Sequence, residues 1–468
     1  MAEENTGEKE KTPLISKIAK YLPTVEKPTY KQPFNTRLMW TGVALLIYFI
    51  LSYVTIYGIS ETSQSEYLRT IQLLLGAKFG SLMTLGIGPI VTGGILLQLL
   101  VGSKIINWDM SKPEEREKFQ TWNKFLSILL CFLTAMAYTV AGAIQVTGGL
   151  PILVLVIIQL ASGGIIVILL DEIVSKWGFG SGISLFIAAG VGSQIIISVL
   201  SPFMSPQGEY VGRLWNFASN IFMGNSLQAF LYFLPLISTS LVFLLVVYAQ
   251  DISIDMPLSF SSMRGFGRTW SLKLFYTSNI PVILAAALLA NLQLMGKVMA
   301  GGGCGLLGCF DTSGNPTSGL IYFLSAPKNL LLSVFTPGAF TILEVVRALT
   351  YTAFMALCCM IFSMFWVNTS GMDSASVAEQ ISDIGMQIPG YRSDKKIMES
   401  VLQRYIPALA VVGGLLVGLL AAFADFTGAL GTGTGILLTV MIIYNYYEEF
   451  KRERLEEAHP LVRKVLGE

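Results

Sequence analysis

The side chains that usually perform chemistry are scarce in this chain of 468 residues and form no recognisable catalytic set. His459 is the sole histidine, which argues against histidine-based catalysis and histidine metal sites. The five cysteines contain no CxxC pair for zinc or dithiol redox chemistry. There is also no Ser/His/Asp set, P-loop or GxGxxG unit. We therefore predict that the protein is not an enzyme and uses no cofactor or metal.

The elements available to position functional groups are long apolar runs. Hydrophobic residues make up 53% of the chain and charged residues 13%, whereas soluble domains are roughly a quarter charged. About twenty apolar residues are needed to cross a bilayer core of about 30 Å as a helix. The chain has ten such runs, which we number as spans one to ten: 38–59, 79–102, 125–146, 150–170, 183–202, 229–249, 274–295, 340–367, 405–425 and 429–447. We predict an all-α polytopic membrane protein of ten transmembrane helices.

Lysine and arginine residues are concentrated on one side of these spans, although the net charge of the chain is only +1. Because positively charged segments are retained in the cytoplasm, this bias predicts that both termini are cytoplasmic. An even number of spans follows. The predicted divisions are a cytoplasmic N-terminal segment at 1–37, an N-terminal half at 38–202, an external loop at 203–228, a C-terminal half at 229–447 with cytoplasmic loops at 250–275 and 369–404, and a cytoplasmic tail at 448–468.

Glycine and proline residues cluster at the mouths of spans two, five, seven and ten. Examples are Pro89, Gly180, Pro281, which we expect to interrupt span seven, and Gly433. A broken helix persists in a membrane only where protein or a wet cavity satisfies its freed backbone groups. We therefore predict that these four spans surround one cavity. Five spans in each half would invert the second half relative to the first, although no residue-level repeat between the halves is evident.

Ionisable side chains near the spans lie at span ends: Asp171, Glu172, Glu344, Arg347 and Asp425. Ion-coupled transporters generally keep such groups near the membrane midplane. The polar candidates inside the spans are Thr92, Gln98 and Asn291, and a single Asn in a membrane helix more often joins helices than binds a ligand. These observations favour a conduit over a secondary transporter. A purely structural scaffold would need no helix breaks converging on one cavity.

A weakly apolar stretch between spans one and two is too short to cross the membrane. It runs from Tyr67 to Ala77 on the predicted outer side, with Ser60 to Gln64 as a possible cap. One interpretation is a half-helix that packs into a funnel ahead of span two. The alternative is an amphipathic helix lying at the membrane interface.

Four segments resemble the SecY family, the channel subunits of the Sec protein translocon. The archaeal form is matched more closely than the eukaryotic alpha subunit, in the same span order and from about Pro23 to the tail. The segments are LGIGPIVTGGILLQLLVG at Leu85–Gly102, DEIVSKWGFGSGISLFIAAG at Asp171–Gly190, SNIPVILAAALLANLQ at Ser278–Gln293 and GALGTGTGILLTV at Gly428–Val440.

The resemblance implies a channel that translocates unfolded secretory polypeptides and releases apolar segments sideways into lipid. It implies two inverted halves, spans one to five and six to ten, around a central hourglass pore closed by a plug helix at about 60–77. Spans two and three would face spans seven and eight across a lateral gate, with Thr92 and Asn291 as polar groups at that seam. A ring of aliphatic side chains would close the pore at mid-membrane: Ile87, Val91, Ile183, Ile187, Ile283 and Leu438.

The two large cytoplasmic loops carry basic residues, which by themselves fit simple solvation and topology. The resemblance implies that these loops dock on the ribosome through Arg264, Arg268, Lys273, Arg392, Lys395 and Lys396. Gly, Ser and Thr around the basic residues of the first loop indicate a flexible tip rather than a rigid platform. The other partners implied are SecE (gamma) and Sec-beta subunits, signal sequences, nascent secretory or membrane polypeptides, the signal-recognition pathway and the lipid bilayer. The expected location is the plasma membrane of a prokaryote of archaeal type.

Two cysteines, Cys304 and Cys309, lie in a Gly-rich insert on the predicted outer face. Oxidation is possible there, and their five-residue separation permits a disulfide without requiring one. Cys358 and Cys359 lie within span eight and are interpreted as packing residues.

Overall fold

The computed structural model describes most of the chain. The described residues are 22–59, 80–103, 105–106, 108, 110, 112–140, 144, 146–204, 210–260, 267–300, 304–305, 307–311, 316–327, 330, 341–387 and 395–458. The predicted plug at 60–77 and the side chains of Arg264, Arg268 and Arg392 lie outside the described part.

Within the described residues, ten helices follow the ten predicted spans in order. They are α1 (Phe34–Tyr53), α2 (Gly88–Gly102), α3 (Pro113–Val140), α4 (Leu150–Trp177), α5 (Gly182–Leu200), α7 (Ser226–Gln250), α8 (Ile280–Ala300), α10 (Ile342–Thr369), α12 (Lys395–Phe426) and α13 (Gly433–Ala458). Eight of these are long and apolar enough to cross a membrane. The other two are α2, which has only 15 residues, and α13, which has a charged extension. This arrangement fits the predicted count of ten.

In the parts of the connections that the structure describes, there are three short helices and two small sheets. The helices are α6 (Arg213–Phe222), α9 (Leu320–Leu324) and α11 (Ser374–Asp383). One sheet has the strand order β2-β1-β6, from β1 (Ser253–Phe260), β2 (Gly267–Lys273) and β6 (Met386–Gln387). The other has the order β3-β4-β5, from β3 (Cys304–Gly305), β4 (Gly308–Phe310) and β5 (Pro316–Ser318). The predicted all-α class holds for the spans, and the sheets lie in the loops between them.

Several helices start at residues other than those predicted for the spans, and two of these differences bear on the candidate site. Span two was expected from residue 79, but α2 begins at Gly88 because residues 80–87 form turns. Pro281 is the second residue of α8, where a helix has no backbone N–H partner to lose. The expectation that Pro281 interrupts span seven is therefore wrong, because this proline starts the helix.

Close packing of the helices depends on small residues. In α12, a Cβ at Gly414 would lie 2.7 Å from the Ser363 side chain, and one at Gly418 would lie 2.7 Å from the Ala356 backbone. Both neighbours belong to α10, so α10 and α12 approach almost backbone to backbone, as small residues permit in membrane helices. Elsewhere α2 packs against α3, α8 and α10, and α13 packs against α5, α7, α8 and α12.

Candidate functional site

The six side chains predicted to form the pore ring lie in or against one large apolar cluster of the molecule. Five of them are buried, and Ile183 is half-buried against that cluster. They come from the starts of four helices that are far apart in sequence, namely α2, α5, α8 and α13. The residues are Ile87, Val91, Ile183, Ile187, Ile283 and Leu438. All six side chains are aliphatic, so they offer no charged group to an ion or to a particular peptide sequence.

Each of these four helices follows a residue with a positive φ angle. The φ values are 51° at Gly86, 63° at Gly180 and 82° at Gly431, and 56° at Ser278. Glycine adopts this conformation without strain, because it has no Cβ. The ring side chains lie within the first six residues of the four helices or, for Ile87, just before α2. The predicted glycine breaks at Gly86, Gly180 and Gly431 are thus turns that precede helix starts.

Ser278 is the single non-glycine residue with positive φ among the described residues, and its side chain is held on both sides. Its hydroxyl accepts a hydrogen bond from Asn445 Nδ2 of α13 at 2.7 Å and donates one to Asn279 Oδ1 at 3.1 Å. The left-handed conformation costs a non-glycine residue roughly 1–3 kcal/mol. The polar contacts therefore tie the start of α8 to α13 at a conformation that would otherwise be unfavourable.

Thr92 and Asn291 meet across the interface between α2 and α8. Asn291 Nδ2 donates a hydrogen bond to Thr92 Oγ1 at 2.9 Å, and the Thr92 hydroxyl donates to the Gly88 carbonyl of its own helix at 2.8 Å. Farther along α2, Gly102 lies against the ring of Phe365 in α10. The α2 helix therefore closes the seam against both α8 and α10. The α3 helix, expected at the same seam, packs chiefly against α2 and α4.

The two loops predicted to be cytoplasmic are joined by one antiparallel sheet. In the first loop, β1 pairs with β2 from Ser253–Lys273 to Ser259–Gly267, and β6 of the second loop pairs with the end of β1. Beneath them, Met256 and Leu272 are buried against residues of α11 and α12 such as Ile381. The expectation of a flexible tip concerns residues around Arg264 and stays a prediction. The stem of the first loop is a packed hairpin, and its tip at 261–266 lies outside the described residues.

Two of the basic residues predicted to dock on the ribosome form ion pairs within the protein itself. Lys273 forms an ion pair with Glu448 of α13, and its ammonium lies 5.0 Å from the centre of the Tyr444 ring. Lys395 pairs with Glu379 of α11 at 2.6 Å on the surface, and Lys396 is exposed beside it. Arg268 lies on β2 opposite Leu258. The sheet thus joins the two basic loops to each other.

A cluster of charges that the sequence did not reveal joins the first helix to the last. The Arg37 guanidinium pairs with Glu453 and, at 3.5 Å, with Glu449 of α13. It also donates to the Gly178 carbonyl at 2.9 Å and lies 4.3 Å from the centre of the Phe179 ring. The partners are separated by hundreds of residues, so no local pattern could have paired them.

Known proteins resemble this chain over nearly its whole length. The protein-family model described as SecY matches residues 81–447. The chain is 42% identical to the protein translocase subunit SecY of Pyrococcus furiosus, over 97% of this chain and 99% of that protein. A solved structure described as "The structure of a protein conducting channel" matches with a TM-score of 0.82 and 43% identity, over 95% of this chain and 98% of that one. Another solved structure is described as "Sec61 in the Canine ribosome-channel complex from the endoplasmic reticulum". It matches with a TM-score of 0.79 and 43% identity, over 95% of this chain and 98% of that one.

Proposed function

The chain belongs to the SecY family of protein translocase subunits, and from this premise we propose how its residues conduct a polypeptide. It is the channel subunit of the Sec translocon, through which unfolded polypeptides cross the membrane and transmembrane segments pass sideways into lipid. Because it has no energy source of its own, partners such as the translating ribosome drive the movement. It acts by opening and closing a passage and carries out no bond-making step.

The observation that carries the proposal is that aliphatic side chains from the starts of four helices lie in or against one buried apolar cluster. We assign the constriction of the pore to Ile87, Val91, Ile183, Ile187, Ile283 and Leu438. A narrow apolar constriction loses its water and so resists ion leak. Aliphatic side chains also make no hydrogen bond that would select one peptide sequence. The same ring can therefore seal the resting channel and surround any passing chain.

The lateral gate is assigned to the seam between α2 and the pair α8 and α10. The hydrogen bond between Asn291 and Thr92 supports this assignment, because it joins two helices that lateral release must separate. Hydrogen bonds between membrane helices contribute on the order of 1 kcal/mol. Such a bond stabilises the closed seam while leaving it easy to open when an apolar signal sequence enters.

The remaining arrangement of the channel is proposed on the same premise. The N-terminal half at 38–202 and the C-terminal half at 229–447 enclose the pore, with the plug at about 60–77 and both termini in the cytoplasm. The small subunits SecE and Sec-beta, signal sequences and the signal-recognition pathway are the proposed partners in the membrane of an archaeon. The relatives of similar sequence include SecY subunits of several archaea.

The cytoplasmic sheet and its neighbouring loops are proposed as the ribosome-docking face. The joining of β1, β2 and β6 supports this, since it presents residues of both basic loops together. Arginine matches the geometry of phosphate groups, which dominate the surface of ribosomal RNA. We assign the contact to Arg264, Arg268, Arg392 and Lys396, with Lys273 and Lys395 held partly by internal ion pairs.

The channel assignment is tested by crosslinking to an arrested nascent secretory chain. Single cysteine probes at Ile87, Ile183 and Ile283 are expected to crosslink to the chain. A probe at Ile196, on the same helix as Ile183 but 60% exposed on the outer surface of the protein, is the matched control and is expected to remain unlinked. Absence of crosslinks at all three ring positions in an active complex, or equal crosslinking at Ile196, would overturn the assignment.

A further inference from the structure

Asp171, at the end of α4, caps the helix that follows it. Its Oδ1 accepts a hydrogen bond from the backbone N–H of Ile183 at 2.9 Å. Ser181 stands at the usual capping position of α5 but makes no side-chain cap. The first N–H groups of a helix have no hydrogen-bond acceptor within the helix. The Asp171 carboxylate supplies an acceptor that Ser181 does not. The backbone of a predicted ring residue is thus held directly by Asp171.

Asp425, near the end of α12, does the same for α13. Its Oδ1 accepts a hydrogen bond from the Thr434 backbone N–H at 2.7 Å, and its Oδ2 accepts one from the Thr434 hydroxyl. The Tyr351 hydroxyl of α10 also donates to Oδ2, at 2.6 Å. Asp425 therefore fixes the first turn of α13 and ties it to a helix of the proposed lateral gate.

The two sites share a pattern that includes a glycine. Gly182 and Gly433 are the first residues of α5 and α13. A Cβ at Gly182 would lie 2.6 Å from the Asp171 Cα, and one at Gly433 would overlap the backbone of Ala424 and Asp425. In both halves, the glycine that begins the helix packs directly against the backbone at or next to the capping aspartate. Any larger residue would push the helix away from its cap.

The pattern also predicts which ring residues correspond. Counting five residues on from Gly182 leads to Ile187, and five on from Gly433 leads to Leu438. The two helices pack together and run in opposite directions, because Gly435 lies against Val191 while the Tyr446 hydroxyl donates to the Ser181 carbonyl at 3.1 Å. The capped ends therefore face opposite sides of the membrane. This is the residue-level repeat between the halves that the sequence did not make evident.

We propose that Asp171 and Asp425 are positioning residues of the constriction, each clamping from its own membrane face the first turn of a helix that carries the ring. The proposal rests on the assignment of Ile183, Ile187 and Leu438 to that ring. A helix whose first turn is fixed presents these side chains at one depth and angle. A helix whose first turn frays lets them move, so the resting seal loosens and weaker signal sequences suffice to open it.

The test replaces the caps in the full-length protein assembled in its translocon and reconstituted in liposomes. The measured quantity is the translocation of a reporter with an impaired signal sequence, divided by that of the same reporter with an intact one. Loss of a cap shifts a local helix equilibrium about two- to thirtyfold. We expect Asp171→Ala and Asp425→Ala to raise the ratio by about threefold or more. We expect Asp171→Asn, which keeps the Oδ1 acceptor, to stay near the wild-type ratio.

Asp373→Ala is the matched control, because Asp373 also caps a helix through the Ser376 N–H but belongs to α11, in the cytoplasmic loop. Its ratio is expected to equal that of the wild type. If an alanine variant does not assemble, Gly182→Ala or Gly433→Ala replaces it, since either Cβ displaces the same helix start. Cap variants that discriminate signal sequences as Asp373→Ala does would overturn the proposal. A wild-type protein that translocates neither reporter would instead contradict the proposed function.

Discussion

At the scale of single residues, the proposed channel depends on a few side chains that hold helix starts in place. Ser278 keeps a left-handed backbone because Asn445 and Asn279 bind its hydroxyl, and Ile183 is aimed by a carboxylate from another helix. None of these contacts involves the chain that passes through the pore. The ring can therefore consist of aliphatic side chains alone, because polar groups around it set its geometry.

Asn291→Leu is predicted to favour opening of the lateral gate. The change removes the hydrogen bond to Thr92 and leaves the α2–α8 seam with packing alone. The coupling between Asn291 and Thr92 should be about 0.6 kcal/mol, the average for such pairs in membrane helices. It can be measured by a double-mutant cycle with Thr92→Val that follows signal-sequence selectivity.

Gln293→Leu is the matched control for that cycle. Gln293 lies on the same helix but donates to Ser325 in the connection after α9, at 3.0 Å, and so does not bridge to α2. It should show no coupling to Thr92. Unchanged selectivity together with unchanged gate opening in Asn291→Leu would refute the role of this bond.

Gly163→Ala is predicted to destabilise the folded protein. A Cβ at Gly163 in α4 would overlap the carbonyl oxygen of Leu82, in the turns that lead to Ile87. Overpacking of this kind costs about 1–3 kcal/mol. Thermal unfolding of the purified protein in detergent should show a lower midpoint. Gly192→Ala in α5 is the control, because no atom lies within 4 Å of its new Cβ, and an unaltered midpoint for both would contradict the packing.

At the scale of elements, the connections contribute more structure than their composition suggests. The Gly-rich insert after α8 forms a small sheet in which Cys304 and Cys309 are opposite each other and joined by a disulfide. Gly296 of α8 lies against Ile321 and Phe310, so this insert packs on the C-terminal end of a proposed gate helix. Beyond it, Arg347 of α10 donates to the Ser325 carbonyl at 2.8 Å. These contacts join α8 and α10 into one unit.

The disulfide predicts a specific peptide map. Without reductant, the peptide or peptides that contain Cys304 and Cys309 should resist alkylation and be lighter by the two thiol hydrogens. After reduction, both should be alkylated. The three other cysteines, Cys131, Cys358 and Cys359, are buried free thiols and should react only after denaturation. Alkylation of Cys304 and Cys309 in unreduced protein purified under non-reducing conditions would contradict the bond.

At the scale of the whole molecule, contacts between the halves lie on the predicted cytoplasmic side as well as in the core. Arg37 of α1 reaches Glu449 and Glu453 of α13, and Tyr446 of α13 bonds to the α4–α5 turn. The same charged extension of α13 holds Lys273 of the hairpin through Glu448. The last helix therefore links the first helix, the ring helix α5 and the proposed docking face.

Ribosome binding is predicted to depend on salt through the two basic loops. Arg264→Glu and Arg392→Glu should each weaken binding and lower the slope of log affinity against log salt by about one for each phosphate that the variant no longer binds. Arg213→Glu, on the predicted outer face, is the control and should leave both the affinity for ribosomes and its salt dependence unchanged. The measurement is a titration of ribosomes onto translocon liposomes at several salt concentrations. Undiminished binding that does not vary with salt would contradict the assignment.

The sequence alone predicted ten spans in the order that the ten helices follow, because crossing a bilayer requires about twenty apolar residues in one local run. Four local motifs also identified the family and the candidate ring. Only the tertiary structure decided how these pieces are held. The Arg37–Glu453 pair, the Asn291–Thr92 bond, the joining of two loops in one sheet and the capping of α5 and α13 each connect residues that hydropathy treats separately. Such contacts depend on which helix faces pack together, and a one-dimensional pattern of hydrophobicity does not contain that information.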